Sequence, residues 1–257
     1  MPAGWHQDFD LYLVDVDDRP ATVVVDLAAR AHAPVASHPL RLDVRVAMRT
    51  PRPDGLRDAS ELDALGDLES RLAAGLGRAV DAIYVGRAVF GGHTLFHYYL
   101  PAAARERLVE LVALTGPLGD YRPTCSVDDD PSWGVYRELL APDPFTRAAM
   151  WNRRLLCWFR EQGDRLEVAR RIDHGAYFPD RARAERTAAA LRGRGFTVDP
   201  LVEPTQGAEW HVGFHREDDL DSGRPEHFCR EILEIVLAEQ GRYDGWGAPR
   251  VSRSPAL

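Results

Sequence analysis

The chain has 257 residues, enough for one large or two ordinary domains, each able to bury a core. Its 45% hydrophobic and 28% charged residues are those of a soluble globular protein, and no apolar run approaches the ~20 residues needed to span a bilayer. A formal net charge of −8 excludes a general nucleic-acid binder, which needs a basic stripe, and points to a basic protein surface as partner.

Every one of the 32 basic residues is arginine, which codon bias in a GC-rich genome explains without any special function. Cys125, Cys157 and Cys229 are odd in number and widely spaced, which fits a reducing cytoplasm rather than a disulfide frame or zinc knuckle. The first residues, Met1 to Asp8, carry no basic start and no apolar signal core, so a cytoplasmic location is expected.

In chain order, Phe9, Leu11 and Leu13 alternate, Asp17 to Pro20 turns the chain, and Thr22 to Val25 returns as the second strand of a β-hairpin. Leu40, Leu42, Val44, Val46 and Met48 mark the inner face of a strand whose other face carries Arg41, Asp43 and Arg45. Asp58 and Glu61 have the spacing of a capping box, followed by a helix with Leu62, Leu65, Leu68, Leu72 and Leu76 on one face. Strands over 80–90 and 93–100 meet at Gly91-Gly92. Pro101 opens a helix through Arg105, Leu108, Leu111 and Val112, and Tyr121 to Val127 reads as a short strand.

Asp130-Pro131 and Asp143-Pro144 each read as an N-cap followed by a first-turn proline. The second opens a helix with Phe145, Ala149, Leu156 and Phe159 on its buried face, ending at Gly163. The pattern then restarts. A strand over Leu166 to Phe178 precedes a helix capped by Asp180, with Ala184, Ala188 and Leu191 inward. Strands over 196–202 and 208–216 flank a turn at Pro204 to Gly207, and Phe228, Ile232, Ile235 and Val236 mark a last helix ending at Gly241. A short strand around Pro249 to Val251 is expected after that.

The order strand–helix–strand–strand–helix–strand thus occurs twice, at about 40–127 and 166–252. It predicts an α+β chain of two ferredoxin-like sandwiches, antiparallel sheets with helices on one face, the first preceded by a β-hairpin. The expected divisions are a domain over 1–140, a linking helix over 141–163 and a second domain over 164–257.

Few residues suggest chemistry. His93 with His97 and His211 with His215 are four apart, but on a strand that spacing covers ~13 Å, too far to share a metal with bonds near ~2 Å. They are expected as solvated histidines on a sheet face. Asp128 to Asp130 resembles a carboxylate cluster, yet Asp130 has a capping role and acids suit a helix N-terminus. No nucleophile elbow, P-loop or zinc-protease motif occurs. Arg170, Arg171, Asp173 and His174 read as the polar rim of the second domain, or as an acid–base pair, Asp173 and His174, lacking a third member. No catalytic residue, metal site or cofactor is expected.

Gly241-Arg242-Tyr243-Asp244-Gly245-Trp246-Gly247 packs three glycines, two aromatics and an aspartate into seven residues after a helix. Such a stretch is either a helix stop whose aromatics seal the sheet or a recognition corner. Trp246 is expected to be mainly structural and Tyr243 the more exposed. Glu217, Asp218, Asp219 and Asp221 form an acidic loop; beside Tyr243, Asp244 and Trp246 it would make a patch suited to arginines.

With these residues in view, the C-terminal part resembles the regulator of ribonuclease E activity B family. The matching features are Gly163-Asp164, Arg171 to His174, Gly195-Phe196 and above all Tyr243-Asp244-Gly245-Trp246. Residues 5–140 resemble the domain-of-unknown-function family numbered 695 through Trp5, the strand from Pro39 to Met48, Gly92, Phe96, Tyr98 and Asp130 to Tyr136. The resemblance implies a non-catalytic module that inhibits or modulates a ribonuclease by binding the protein rather than its RNA. The competing expectations are a hydrolase with a site between the domains and an immunity or accessory protein of a conflict system.

Overall fold

The computed structural model describes residues 4–116, 119–205 and 207–252; Gln206 of the expected turn and the side chain of Leu108 lie outside them. Packing divides the chain between Pro142 and Asp143 into two compact units. The fold is α+β, with one antiparallel sheet in each unit.

The first unit holds strands β1 (Phe9–Val16), β2 (Arg19–Asp26), β3 (Leu40–Ala47), β4 (Ile83–Phe90), β5 (His93–Leu100) and β6 (Thr124–Asp129). Helices α1 (Leu62–Val80) and α2 (Leu108–Leu114) complete it. The strands lie in the order β1-β2-β4-β5-β3-β6, every neighbouring pair antiparallel. The two-residue connection between β1 and β2 places both Asp17 and Asp18 at positive φ, the demand of a tight turn that follows strand twist. Alternation on β3 sends Leu40, Leu42, Val44 and Val46 into a core with Leu65, Leu68, Leu72 and Leu76 of α1. Leu62 does not join that face; it is 51% exposed because α1 starts there, after a short 3-10 turn over Ala59–Glu61. Nor do Asp58 and Glu61 form a reciprocal box. Asp58 caps the turn at Ser60 N–H, while the buried Glu61 carboxylate accepts from the N–H groups of Arg49 and Thr50 and from the Tyr121 hydroxyl. Val112 faces solvent, and the segment after Pro101 is a 3-10 turn over Ala102–Arg107 before α2 begins.

The opposite face of this sheet is covered too, which the sequence did not suggest. Trp133, held at φ 57 by the turn after Asp130, stacks on Tyr99 with ring centroids 3.9 Å apart. Its Nε1 donates to the His38 carbonyl at 2.9 Å, and Trp5 Nε1 donates to Asp26 Oδ2 at 2.9 Å. Asp130 is buried, accepting from the Tyr99 hydroxyl and from Gly134 and Val135 N–H. A single π-helical turn, Val135–Leu140, follows. His97 is consequently not a solvated sheet-face histidine: it is buried, with Nδ1 2.8 Å from Asp43 Oδ1. Asp128 and Asp129 go to separate partners, Arg41 and Arg105.

The second unit comprises α3 (Pro144–Glu161), β7 (Arg170–Phe178), α4 (Arg181–Gly193), β8 (Thr197–Val198), β9 (Trp210–Asp218), α5 (Arg224–Ala238) and β10 (Arg242–Gly247). Its sheet runs β10-β7-β9-β8, again antiparallel throughout. Asp143 caps α3, accepting from Phe145 and Thr146 N–H. Of the segment expected as a link, 141–163, residues 143–163 fall in this unit: α3 sends Met150, Asn152, Leu156 and Phe159 inward, whereas Ala149 is exposed and Phe145 only half-buried. Its core joins Leu156 and Phe159 to Ile172, Phe178, Leu191, Phe214, Phe228, Ile232 and Trp246. Residues 249–251 form no strand; a lone bridge pairs Asp164 with Ser252.

Candidate functional site: the β10 edge and the acidic loop

Helix α5 stops where Gln240 turns to φ 55 and Gly241 N–H reaches the Val236 carbonyl at 2.9 Å. Gly241 is held small, because a Cβ there would lie 2.2 Å from an edge carbon of the buried Phe178 ring. The next six residues make an edge strand rather than a corner. β10 pairs with β7, with a bulge between Tyr243 and Gly245, and Gly245 takes φ +106. The pairing turns Tyr243 and Trp246 to the helix side and Asp244 to the open side, where its Cβ lies beside Gly175.

Trp246 is 8% exposed, lies parallel to Phe159 and meets Phe228 edge-on at 5.6 Å. Its Nε1 donates to Asn152 Oδ1 at 2.8 Å, an oxygen that also accepts from the Cys229 thiol at 3.5 Å. The Tyr243 ring is half-buried, the more exposed of the two, but its hydroxyl is enclosed 2.9 Å from His174 Nδ1. His174 stacks on Phe214 at 5.2 Å and meets the edges of Phe196 and Phe228. Burial first, then the nearby positive charge of Arg216, lowers its pKa to about 3, so the ring is neutral. Burial also pushes the Cys229 thiol up to about 11 and raises the Tyr243 hydroxyl well above its usual range. Asn152, Tyr243, Trp246, Trp151, Leu233, Arg147, Arg242 and Asp244 surround a hollow of about 300 Å³.

Half of the expected polar rim is internal. Arg170 is buried against the Asp164 carboxylate at 2.8 Å, and His174 points into the core; Arg171 and Asp173 are exposed and pair with each other at 2.7 Å. Asp173 and His174 are consecutive on β7 and so face opposite sides of the sheet. They cannot act as an acid–base pair.

Residues 7–141 match a family of unknown function, DUF695, and residues 150–248 match Regulator of ribonuclease activity B. The chain belongs to the DUF695 family, fused to a regulator of ribonuclease activity B segment. That regulator segment begins inside α3, so it includes Asn152, Leu156 and Phe159 together with the strand carrying Trp246. No curated protein matches the chain. Two solved structures are similar over 82% of this chain and 98% of their own. One, provisionally described as a glycine cleavage system transcriptional repressor, has a TM-score of 0.26 at 9% identity. The other, an unknown protein from Galdieria sulphuraria, has 0.22 at 11%. Neither score supports an argument about fold or function.

In the regulator segment the acidic loop is dispersed. Glu217 is exposed on the open sheet face opposite Arg171, while Asp218 turns back to Arg216 at 2.7 Å. Asp219 and Asp221 line a separate hollow of about 530 Å³ with Glu167, Arg224 and His227. That lining shares no residue with the hollow at Tyr243 and Trp246. The acids and the aromatics therefore form two sites rather than one patch. Among the described residues no group of three or more His, Cys, Asp or Glu side chains is arranged to hold a metal ion, and no helix is long and apolar enough to cross a membrane. Sequence reasoning missed Asn152, whose only signal is a polar residue at a buried position between Met150 and Leu156 on α3.

Proposed function

We propose that this protein is a non-catalytic, cytoplasmic regulator that binds a ribonuclease through its second unit and lowers its activity. The match of residues 150–248 to Regulator of ribonuclease activity B carries the reading. In it, the second unit is a ferredoxin-like sandwich: β7-α4-β8-β9-α5-β10 is the strand–helix–strand–strand–helix–strand order, and the sheet order puts the first and third strands in the middle. Strands β3 to β6 with α1 and α2 repeat that arrangement, extended at β4 by the β1–β2 hairpin.

The partner surface is assigned to side chains left at the surface of the second unit: Glu217 and Asp244 on the open sheet face, Asp219 and Asp221 in the acidic hollow. Asp221 is exposed there beside Glu167, paired with Arg165 at 3.0 Å, and Asp219, 3.7 Å from Arg224, an acidic lining that suits a basic side chain of a partner protein. Trp246 and the Tyr243 hydroxyl hold the strand in place. The chain binds the enzyme, not RNA, in keeping with its net charge of −8. The test is cleavage of a fluorogenic RNA by an endoribonuclease of the same organism, with and without the purified chain. Slower cleavage at saturating chain, with no RNA turnover by the chain alone, is expected; unchanged cleavage by every endoribonuclease of that organism would contradict it.

A further inference from the structure

We infer that the hollow beside β10 is a binding site for a small neutral molecule with an apolar body and a carbonyl oxygen. It lies where α3, α5 and β10 meet, within the second unit. Such a site goes beyond ribonuclease binding and does not depend on it.

The polar end of the hollow is Asn152. Its Oδ1 accepts from Trp246 Nε1 at 2.8 Å and from the Cys229 thiol at 3.5 Å. The indole N–H can only donate, and burial keeps the thiol protonated by pushing it up to about 11. Both donors therefore fix the amide with Oδ1 toward them. Nδ2 is the atom left over, buried and without a hydrogen-bond partner on a side chain that is 1% exposed. Buried donors are nearly always satisfied, so this one calls for an acceptor oxygen. A water there would find few further polar partners, because the Tyr243 hydroxyl is engaged by His174 and the thiol by Asn152. Displacing a poorly held water favours a ligand.

The walls decide the rest of the occupant. Trp151, Tyr243, Trp246 and Leu233 offer apolar surface to its body. The Trp151 indole borders the strand, with Nε1 3.9 Å from the position a Cβ on Gly245 would take. Charges at the rim are already committed: Arg242 pairs with Glu209 at 3.0 Å and Asp244 at 3.2 Å, and Arg147 has an interaction of its own. An anion or a cation would leave water without gaining a free counter-charge, a cost that a neutral carbonyl avoids. A volume of about 300 Å³ is at the small end of ligand pockets and suits a molecule of one ring.

Benzamide, benzoate and benzamidine share one shape and differ in charge and acceptor, so titrating each into the full chain tests the site. Heteronuclear NMR of the side-chain amide and indole N–H groups gives the affinities. Benzamide is expected to saturate in the millimolar range, normal for so small a probe, and to shift the signals of Asn152 and Trp246. Benzoate and benzamidine should bind about tenfold more weakly or worse. Trp151→Ala should weaken benzamide about tenfold or more; that side chain is 53% exposed, so its removal spares the core. Asn152→Asp replaces the unpaired donor by a carboxylate and should reverse the preference toward benzamidine. If that variant does not fold, the three probes on wild type and on Trp151→Ala still decide. A hollow that holds solvent only, with no saturable benzamide binding or no shift at Asn152, would overturn the inference. So would equal or stronger binding of benzoate or benzamidine, or benzamide affinity unmoved by Trp151→Ala.

Discussion

His174 Nδ1 lies 2.9 Å from the hydroxyl of Tyr243, tying the second strand of the sheet to its edge strand inside a ring of phenylalanines. The other ring nitrogen, Nε2, is buried without a partner among the described residues. The lowered pKa of about 3 keeps the ring neutral, and its tautomer sets which of the two groups donates.

Acid stability depends on that value. The folded-state pKa is below the ordinary ~6.5, so the unfolded chain takes up the proton first as pH falls. The contribution of neutral His174 is complete above about pH 6.5 and is lost toward pH 3, at up to ~1.4 kcal/mol per pH unit. Urea unfolding at several pH values should show a steeper loss in wild type than in His174→Gln. Carboxylates held low, such as Asp143 and Asp180, titrate in both proteins and cancel in the comparison. Equal slopes would place His174 in contact with water.

The two aromatics of β10 should respond differently. Trp246→Ala removes a buried ring and its bond to Asn152, and should cost about 3–5 kcal/mol, with a marked fall in melting temperature. Tyr243→Phe keeps the ring and removes one hydroxyl, and should cost about 1–2 kcal/mol. A Trp246→Ala protein as stable as wild type would remove the tryptophan from the core.

The second unit should fold alone if it keeps α3. A fragment from Asp143 to Leu257 is expected to unfold cooperatively. One starting at Gly163 lacks Asn152, Leu156 and Phe159, which contact or flank Trp246, and should be less stable or unfolded. Equal denaturation midpoints for the two fragments would contradict the place given to α3.

Regular elements with one covered face were legible because their periods are local. β3 alternates by two and α1 repeats its leucines by three and four, and both patterns lie within one stretch of chain. What depends on distant residues was not. His97 reads as an outward residue, yet it is buried against Asp43 of β3, on a sheet face where Trp133, far away in sequence, stacks on Tyr99. β10 reads as a corner because Gly241 precedes it and Gly245 and Gly247 lie within it; only pairing with β7 and the bulge at Asp244 make it a strand. Asn152 carries no motif, and its importance appears only when Trp246 and Cys229 converge on one oxygen.

Charge on the acidic loop should act chiefly through association rate. Neutralising Glu217, Asp219 and Asp221 together is expected to slow binding to the ribonuclease at low salt, with the deficit shrinking as ionic strength rises. Asp218 is best left in place, since it neutralises Arg216 and its loss would report on folding. Stopped-flow association rates at two salt concentrations decide; identical rates at low salt would remove the loop from the interface.

The claim that this chain regulates a ribonuclease by gripping the protein is tested most directly by surface plasmon resonance. The full chain is immobilised and challenged separately with the ribonuclease and with its RNA substrate. Saturable binding to the enzyme, retained when RNA is digested away, with no response to RNA alone at the same salt, is the predicted result. Binding to RNA alone, or to the enzyme only while RNA bridges them, would contradict it.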